Sequence, residues 1–407
     1  MFKASDEFEI KATNESGETV TGPMSTDNAS VDHVGQQKKK RVDTAEENLT
    51  SRQDRKNEEE AGSLKDMPGI ESDIVKLLAG DIVDTGSIDL SCRPQSSAAP
   101  NVDEYKPVVK RTVCYIVMAL VFDDEGRVIL IQEAKASCRG LWYIPAGRVE
   151  PGENFIEAAK REVLEEAGLH FEPLTLLSVK SQLQRKWFRL NFVGRMKGGK
   201  LKTLEEQDSE SLQAQWFTVD EILNGSVKLR HHDFFKSLKL AQKYISQPVT
   251  SRHPHYHIGT QPHQHLLLRP VVIKQTQGSM EVLCCRKTGR TRLPCCKLHP
   301  REFSLSTALN CVFRDVFQLS QSRIYLPVQG LLTVEHCGIP AREHDGICLT
   351  PVFVLPGDLH DKFENVPNKE YVWYKIANTS ISEQLTHRTF TEDLLIPLLE
   401  KSGGSSK

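Results

Sequence analysis

Three glutamates, Glu162, Glu165 and Glu166, have the spacing to bind a metal ion together. Side chains at positions i, i+3 and i+4 share one face of a helix, so a helix here would bring the three carboxylates together. Carboxylates this close repel one another unless a cation neutralises them. Oxygen ligands suit Mg²⁺ or Mn²⁺, which keep several waters and bridge to substrate phosphates. The spacing therefore predicts a divalent metal site.

A helix must position these carboxylates, and the flanking residues predict where it begins and ends. Asn154 with Glu157 three residues later is the pattern of an N-cap, and Gly168 lies where a helix commonly ends in a left-handed glycine. The sequence predicts a helix over residues 155–167. A neighbouring apolar stripe can lie against a sheet and leave the acidic face at the rim of a cleft; its members are Ile156, Ala159, Val163 and Ala167.

An acidic helix face is more often a solvated surface than a metal site. The flanking pattern favours the catalytic interpretation here. A Pro-Ala-Gly loop ends at Gly147, a Pro-Gly turn follows at Pro151, and the cap and Arg161 then fall at fixed offsets from the acids.

The stretch from Gly147 to Leu169 reads GRVEPGENFIEAAKREVLEEAGL and matches the Nudix box at every defined position. The chain therefore resembles the Nudix hydrolases, which cleave nucleoside diphosphates linked to another group with the help of divalent metal. The resemblance implies structural roles for Glu153 and Arg161, which would fix the loop against the helix, and for Gly168, which would end the helix.

The same resemblance implies the ligands of Mg²⁺ or Mn²⁺. Glu162 and Glu166 would be the principal ligands, Gly147 would contribute its backbone carbonyl, and Glu165 would be a further ligand or a base. Family members often carry another acid before a late strand, as ligand or base. Glu210 is at the usual distance, with Glu205, Glu206 and Asp208 as nearby competitors.

The segments around the box predict the α/β (α+β) fold of a Nudix domain, an α/β/α sandwich. Strands are predicted at 113–122, 128–131, 174–179, 187–193 and 213–217, with a polar loop over 194–210. Ile129 is a candidate contact to the substrate base, although it is equally well a core residue. Trp142 could stack on a base or pack the loop.

The C-terminal half repeats this pattern weakly. An overlay of Arg314–Leu319 on Arg161–Glu166 leaves Asp315 alone at a ligand position, because Gln318 and Leu319 replace the other acids. One carboxylate cannot hold Mg²⁺ alone. We therefore predict a degenerate, non-catalytic Nudix-like α+β domain over 264–400. The alternative is a generic α+β domain with coincidental spacing.

Composition predicts the remaining organisation of the 407 residues. A short helix over 72–80 is expected to begin at a Ser N-cap and to pack onto the first domain. The predicted segments are a disordered charged tail (1–66), a short helix and linker (67–108), a catalytic Nudix domain (109–247), a His/Pro linker (248–263), the degenerate domain (264–400) and a flexible tail (401–407).

The net charge and the length of the apolar runs limit the classes of partner that the protein can have. A net charge of −2 predicts no binding to duplex nucleic acid, and no apolar run is long enough to span a membrane. We expect a cytoplasmic protein with a small-molecule nucleotide substrate. The sequence names no protein partner.

Histidines and cysteines outside the acidic site are residue types that bind zinc, but their sequence context disfavours a zinc site. The linker around His263 has two prolines and no cysteine at ligand spacing. Cys284-Cys285 and Cys295-Cys296 are adjacent pairs, whose side chains would point to opposite faces of a strand. We predict packed, reduced thiols in the cytosol rather than zinc ligands or a disulfide framework.

Outside the box, phrases such as ILIQEAKASCRGLWYIPAGRVEPGE and SLQAQWF resemble one animal branch of the family, which acts on 8-oxo-dGDP. This resemblance implies hydrolysis of oxidised purine nucleoside diphosphates, such as 8-oxo-dGDP and 8-oxo-GDP, to the monophosphate and phosphate. Two alternatives remain. One is a Nudix hydrolase for a dinucleoside polyphosphate, a sugar nucleotide or capped RNA; the other is a non-catalytic nucleotide sensor or scaffold.

Overall fold

The computed structural model describes residues 69–84, 105–248, 258–276, 278–286, 289–298, 304–319, 324–392 and 394–400. All of them belong to one compact unit, Met67–Lys407. The predicted tails 1–66 and 401–407, and most of both predicted linkers, lie outside the described residues.

The first sheet contains the strands before and after the acidic helix. The strands are β1 (Cys114–Phe122), β2 (Val128–Glu133), β3 (Trp142–Tyr143), β4 (Ala146–Arg148), β5 (Leu169–Gln182), β6 (Trp187–Gly199) and β7 (Ser211–Phe217). The central strands are joined in the order β5-β6-β1-β2-β7, and β1 pairs in parallel with β6 over its whole length. The predicted strands are confirmed, but β6 runs on to Gly199 through residues that we predicted to be loop.

Alternation along β1 explains the layers on either side of this sheet. Tyr115 and Val117 pack in the core that contains the acidic helix, whereas Met118 and Leu120 pack in the opposite core. Three helices lie against these faces. They are α2 (Phe155–Ala167) on one side, and α3 (Val219–Leu223) and α4 (Phe235–Ser246) on the other. A further helix, α1 (Ile70–Ala79), precedes the sheet in the chain. The predicted α/β/α sandwich is confirmed.

The second sheet repeats the strand order of the first. The elements of this part are β8 (Ile258–Gly259), β9 (Leu266–Leu268), β10 (Val271–Thr276), β11 (Ser279–Cys285), β12 (Cys296–Lys297), α5 (Leu305–Phe317), β13 (Val328–Glu335), β14 (Ile347–Val354), β15 (Tyr371–Lys375) and α6 (Thr379–Phe390). The central strand order β13-β14-β10-β11-β15 corresponds to β5-β6-β1-β2-β7 of the first sheet. Each neighbouring pair of strands is parallel or antiparallel as its counterpart is. This shared topology confirms a second Nudix-like fold.

The first helix, α1 (Ile70–Ala79), packs on the second sheet and not on the first. Ile74 and Leu77 are buried in an apolar core that also contains side chains of β10, β11 and β13, and Glu71 accepts a 2.7 Å hydrogen bond from the Ala377 amide. The prediction that this helix packs onto the first domain was wrong. The helix also begins two residues earlier than predicted, without a Ser cap, after Gly69 at φ 68°.

The last described residues, 394–400, lead from the second sheet to the first. Ile396 forms a bridge with Leu331 of the second sheet, and β16 (Leu398–Glu400) then pairs in parallel with β5. The last described strand of the predicted second domain therefore completes the edge of the first sheet.

Two further predictions concern cysteines and membranes. Cys284, Cys285, Cys295 and Cys296 are all buried, which confirms the predicted packing. In the described part of the chain, no helix combines the length and the apolar character needed to cross a bilayer.

Candidate active site

The acidic helix α2 has the predicted bounds because both of its ends are capped locally. The Asn154 Oδ1 accepts bonds from the amides of Ile156 and Glu157, at 3.0 and 2.9 Å, and Glu157 accepts a 3.1 Å bond from the Asn154 amide. This reciprocal capping box satisfies amides that would otherwise lack partners. Gly168 ends the helix at φ 76°, a left-handed conformation that favours glycine.

Glu162 and Glu166 face the sheet at the loop containing Gly147. Their residues are only 8% and 4% exposed, so both carboxyls are largely removed from water. The Ala146 amide donates a 2.9 Å bond to Glu166 Oε2, and a Cβ on Gly147 would overlap the Glu162 carboxyl. Only glycine therefore leaves room for Glu162 beside this loop.

Burial and mutual repulsion oppose ionisation of both carboxyls. Burial raises the pKa of Glu166 to about 8, with a further contribution from the charge of Glu162. Burial also raises the pKa of Glu162, although the Arg161 guanidinium counteracts this effect. A cation between the carboxylates would offset both costs.

We expect Glu166→Gln to stabilise the protein when a chelator removes metal. Because the pKa of Glu166 is about 8 in the folded protein and near 4.5 in the unfolded chain, the free energy of unfolding falls as pH rises through this window. Glutamine keeps an oxygen for the Ala146 amide and carries no charge. The variant should be about 1 to 3 kcal/mol more stable at pH 8, with little difference at pH 4.5.

Urea unfolding of both proteins in EDTA at the two pH values measures this effect. Glu157→Gln, an exposed change on the same helix that preserves the capping box, is the control. A Glu166→Gln protein that is less stable than the wild type at pH 8 would contradict the expectation.

Arg161 joins the loop to the acidic face. It makes two bonds to Glu153, at 2.8 and 2.9 Å, and one to the Arg148 carbonyl at 3.0 Å. Its remaining nitrogen contacts Glu162 Oε1 at 2.8 Å and Glu165 Oε2 at 2.9 Å. These bonds raise its pKa further, so Arg161 is a permanent cation that sets where the loop and Glu162 lie.

Side chains from other elements hold the C-terminal end of α2. Lys202 Nζ donates a 2.9 Å bond to the Glu165 carbonyl and pairs with Asp208 at 2.6 Å. The buried Ser211 hydroxyl donates a 2.7 Å bond to the Glu166 carbonyl. A lysine charge at a helix C-terminus is also favourable for the helix dipole. The backbone under Glu165 and Glu166 is thus fixed by the segment that leads into β7.

Glu210 lies directly before β7 and close to the acidic face. Its charge contributes to the raised pKa of Glu162, which places the two carboxylates within electrostatic range. Glu210 is exposed, and Asp208 orders the turn before β7 by accepting the amides of Glu210 and Ser211.

Sequence reasoning missed a further acid, Glu133. It is 2% exposed at the end of β2, its Oε1 pairs with Arg230 at 2.5 Å, and its Oε2 has no hydrogen-bond partner in the described residues. Its charge contributes to the raised pKa of Glu166. An ionisable residue two positions after the apolar run Val128–Ile131 was the available signal.

The two candidate base contacts have different exposure. Ile129 has no exposed surface and lies in the core shared with α2. Trp142 is half-buried and packs edge-to-face against Phe217, with ring centroids 4.9 Å apart. Neighbouring Tyr143 donates its hydroxyl to Asp233 at 2.9 Å, which ties this strand to the segment before α4.

Helix α5 of the second fold, which corresponds to α2, carries neither of the two carboxylates. Its alignment with α2 differs from the alignment that we predicted. The caps Asn154 and Gly168 of α2 correspond to Ser304 and Gln318 of α5, an offset of 150 residues. Glu162 and Glu166 therefore match Val312 and Val316, which are buried as their counterparts are. Asp315 matches Glu165, so its placement at the Glu162 position was wrong; it accepts a 3.0 Å bond from Tyr371.

Another buried group of potential ligands comprises His263, Glu335 and Cys348, whose ligand atoms lie within 4.8 Å of one another. His263 bonds Glu335 at 3.0 Å, and the buried Arg269 guanidinium pairs with the other carboxylate oxygen. Arg269 already supplies the positive charge here, and a divalent cation beside it would be repelled. The cluster fits a buried ion pair better than a metal site.

Comparisons with known proteins agree with this geometry. Residues 114–238 match the model of the NUDIX domain. Over 330 residues the chain is 36% identical to the 8-oxo-dGDP phosphatase NUDT18 of Homo sapiens, a match that covers 79% of this chain and 95% of the human protein. The chain belongs to the Nudix family.

Two other relatives of this Nudix hydrolase carry the same name. The Mus musculus protein is 36% identical over 299 residues, which cover 71% of this chain and 88% of the relative. The Danio rerio protein is 31% identical over 338 residues, covering 78% of this chain and 94% of the relative. These matches are longer than the NUDIX domain match, so the similarity includes the second fold.

Proposed function

We propose that this Nudix hydrolase uses Mg²⁺ or Mn²⁺ to hydrolyse oxidised purine nucleoside diphosphates, such as 8-oxo-dGDP and 8-oxo-GDP, to the monophosphate and phosphate. This activity would remove damaged nucleotides from the pool. The observation that carries the hydrolytic site is the convergence of buried Glu162 and Glu166 beside Gly147. The substrate class rests on the similarity to three relatives named 8-oxo-dGDP phosphatase.

The residues present fit a hard divalent ion. Their donors are carboxylate and carbonyl oxygens, and burial is the main reason that the pKa values of Glu162 and Glu166 are raised, a cost that a bound cation would offset. Glu162 and Glu166 would be the principal ligands, with the Gly147 carbonyl and Glu165 as further ligands. A bound ion would neutralise phosphate charge and lower the pKa of water.

We assign proton acceptance to Glu210 rather than Glu165. The Glu165 carboxylate is already engaged in an ion pair with Arg161 at 2.9 Å. Glu210 is exposed, and its side chain has no ion pair within the described ranges. The Glu210 carboxylate would take a proton from the attacking water and release it to solvent.

We expect Glu210→Gln to lower kcat by about 10²- to 10⁴-fold, the usual contribution of general base catalysis. Glu165→Gln should cost less. Steady-state kinetics of both variants, with Glu205→Gln as an exposed control in the same loop, would compare them. A larger loss in Glu165→Gln would reverse the assignment.

The oxidised base would lie near the exposed part of the Trp142 ring. Of the two candidate base contacts, only Trp142 has exposed surface, and Ile129 would support the cleft from within the core. The aromatic face of tryptophan suits stacking on a purine.

A product-resolved hydrolysis screen tests the proposed function. Purified protein with Mg²⁺ or Mn²⁺ would be given 8-oxo-dGDP, 8-oxo-dGTP, dGDP, ADP-ribose and a capped RNA, with Glu166→Gln as the blank. We expect selective release of phosphate from 8-oxo-dGDP. Cleavage of another substrate alone would keep the metal site and reject the substrate class, and cleavage of none would favour a nucleotide sensor.

A further inference from the structure

A loop of the second domain lies against the Nudix box, although the equivalent helix α5 of that domain carries Val312 and Val316 in place of Glu162 and Glu166. This 336–345 loop joins β13 to β14 and contacts the chain at the start of the acidic helix α2. Three residues of the loop, His336, Gly338 and Asp345, make these contacts.

His336 forms the base of this contact. Its ring stacks on that of Phe155, the first residue of α2, with centroids 4.1 Å apart and planes 8° from parallel. Tyr115 of β1 packs against both rings, with centroid distances of 5.2 Å in each case. All three side chains are buried, so the first turn of α2 rests on a ring from the second domain.

The His336 ring is neutral and oriented by its own domain. Its Nδ1 lies 2.6 Å from the Gly346 carbonyl, which can only accept, so Nδ1 carries the proton. Burial lowers the pKa of His336 to about 4. A neutral aromatic ring can stack on Phe155 at physiological pH without a buried charge.

Gly338 brings the loop backbone against the Nudix box itself. It has φ 76°, and a Cβ at this position would lie 2.6 Å from the carbonyl oxygen of Glu153. Glu153 is the residue whose carboxylate holds Arg161. The glycine therefore permits a backbone approach that any side chain would prevent.

Asp345 attaches the other end of the loop to the first domain. Its Oδ2 accepts a 2.7 Å bond from the Val109 amide, and its carbonyl accepts a 2.8 Å bond from the Tyr115 hydroxyl. Its Oδ1 also accepts the Arg342 amide at 2.9 Å, which orders the loop. Asp345 is 1% exposed, and breaking these bonds would remove the partners of the buried Val109 amide and the buried Tyr115 hydroxyl.

We propose that the second domain is a positioning element for the catalytic site, with His336, Gly338 and Asp345 as its positioning residues. The loop contacts Glu153 and Phe155. Arg161 connects Glu153 to the acidic face, because its guanidinium binds both Glu153 and Glu162. A shift of the loop would therefore displace Glu162. This inference rests on the proposed role of Glu162 as a metal ligand.

A matched pair of glycine variants in the full chain tests the inference. Gly338→Ala would press on Glu153, whereas Gly278→Ala, at φ 83° in the turn between β10 and β11, meets nothing within 4 Å. Both carry similar backbone strain. We expect Gly338→Ala to lower kcat and weaken Mn²⁺ binding about 10- to 100-fold, with a nearly unchanged KM, and Gly278→Ala to match the wild type.

A second pair covers the possibility that Gly338→Ala fails to fold. His336→Ala removes the ring under Phe155, and Leu385→Ala removes a buried side chain on the far side of the second sheet. His336→Ala should lower kcat and Mn²⁺ affinity and speed amide exchange at the start of α2, and His336→Phe should restore much of each. Leu385→Ala should change none of them in folded protein.

Mn²⁺ affinity and amide exchange separate this inference from the proposed function. If the wild type cleaves no nucleotide, the proposed function fails while these two measurements still test the positioning role. Equal effects in His336→Ala and Leu385→Ala, or wild-type values in folded Gly338→Ala, would overturn the inference.

Discussion

Glu166→Gln is expected to lower kcat by about 10³-fold or more while the protein remains folded. A metal ion supplies several kcal/mol of transition-state stabilisation, and each 1.36 kcal/mol is a tenfold change in rate. Glutamine has the same shape and still accepts the 2.9 Å bond from the Ala146 amide, so the change removes charge with little change in packing. Steady-state kinetics at saturating Mg²⁺ measure the loss.

The same variant should be more stable than the wild type without metal, which separates catalysis from folding. Burial and the charge of Glu162 make an ionised Glu166 costly in the metal-free protein. Glu157→Gln on the same helix should keep full activity, because glutamine can also complete a capping box. Wild-type kcat in Glu166→Gln would remove this residue from the metal site.

Gly147→Ala is expected to lower kcat by about 10²-fold or more, since misplacement by 1 Å costs about this much. Its methyl group would overlap all three carboxyl atoms of Glu162. The carboxylate cannot move far, because Arg161 holds it at 2.8 Å and the sheet lies behind it. The substitution therefore displaces a proposed ligand while leaving every acid in the sequence.

Gly357→Ala is the matched control for this change. A Cβ at Gly357 meets nothing within 4 Å, so this variant should keep wild-type kcat and Mn²⁺ affinity. Mn²⁺ titration of folded Gly147→Ala should show weaker binding. Unchanged Mn²⁺ affinity and kcat would show that the site tolerates a side chain at this position.

Local rules were sufficient for the acidic helix. Asn154, Glu157 and Gly168 act on backbone groups within three or four residues of themselves, so their meaning does not depend on the rest of the fold. The helical period then determines that Glu162 and Glu166 share a face. Five strands of the first sheet could also be predicted, because alternation and turns are local patterns, but the extension of β6 to Gly199 could not.

The sequence predicted the type of the second fold correctly, but it misaligned helix α5 with helix α2. Weak identities placed Asp315 over Glu162, whereas the caps and burial of α5 place Val312 there. The phase of a helix against its sheet follows from which side chains fill the core, and a three-residue error nearly restores the helical face. Sequence identity this low cannot detect such an error.

By itself, the sequence determined the acidic helix, the ligand candidates, the family and the existence of a second domain, since each depends on spacing along the chain. Only the tertiary structure showed that α1 packs on the second sheet, that buried Glu133 lies within electrostatic range of Glu166, and that His336 stacks on Phe155. These contacts join residues far apart in the chain. They follow from how apolar faces pack, and no local pattern records which distant face a side chain will meet.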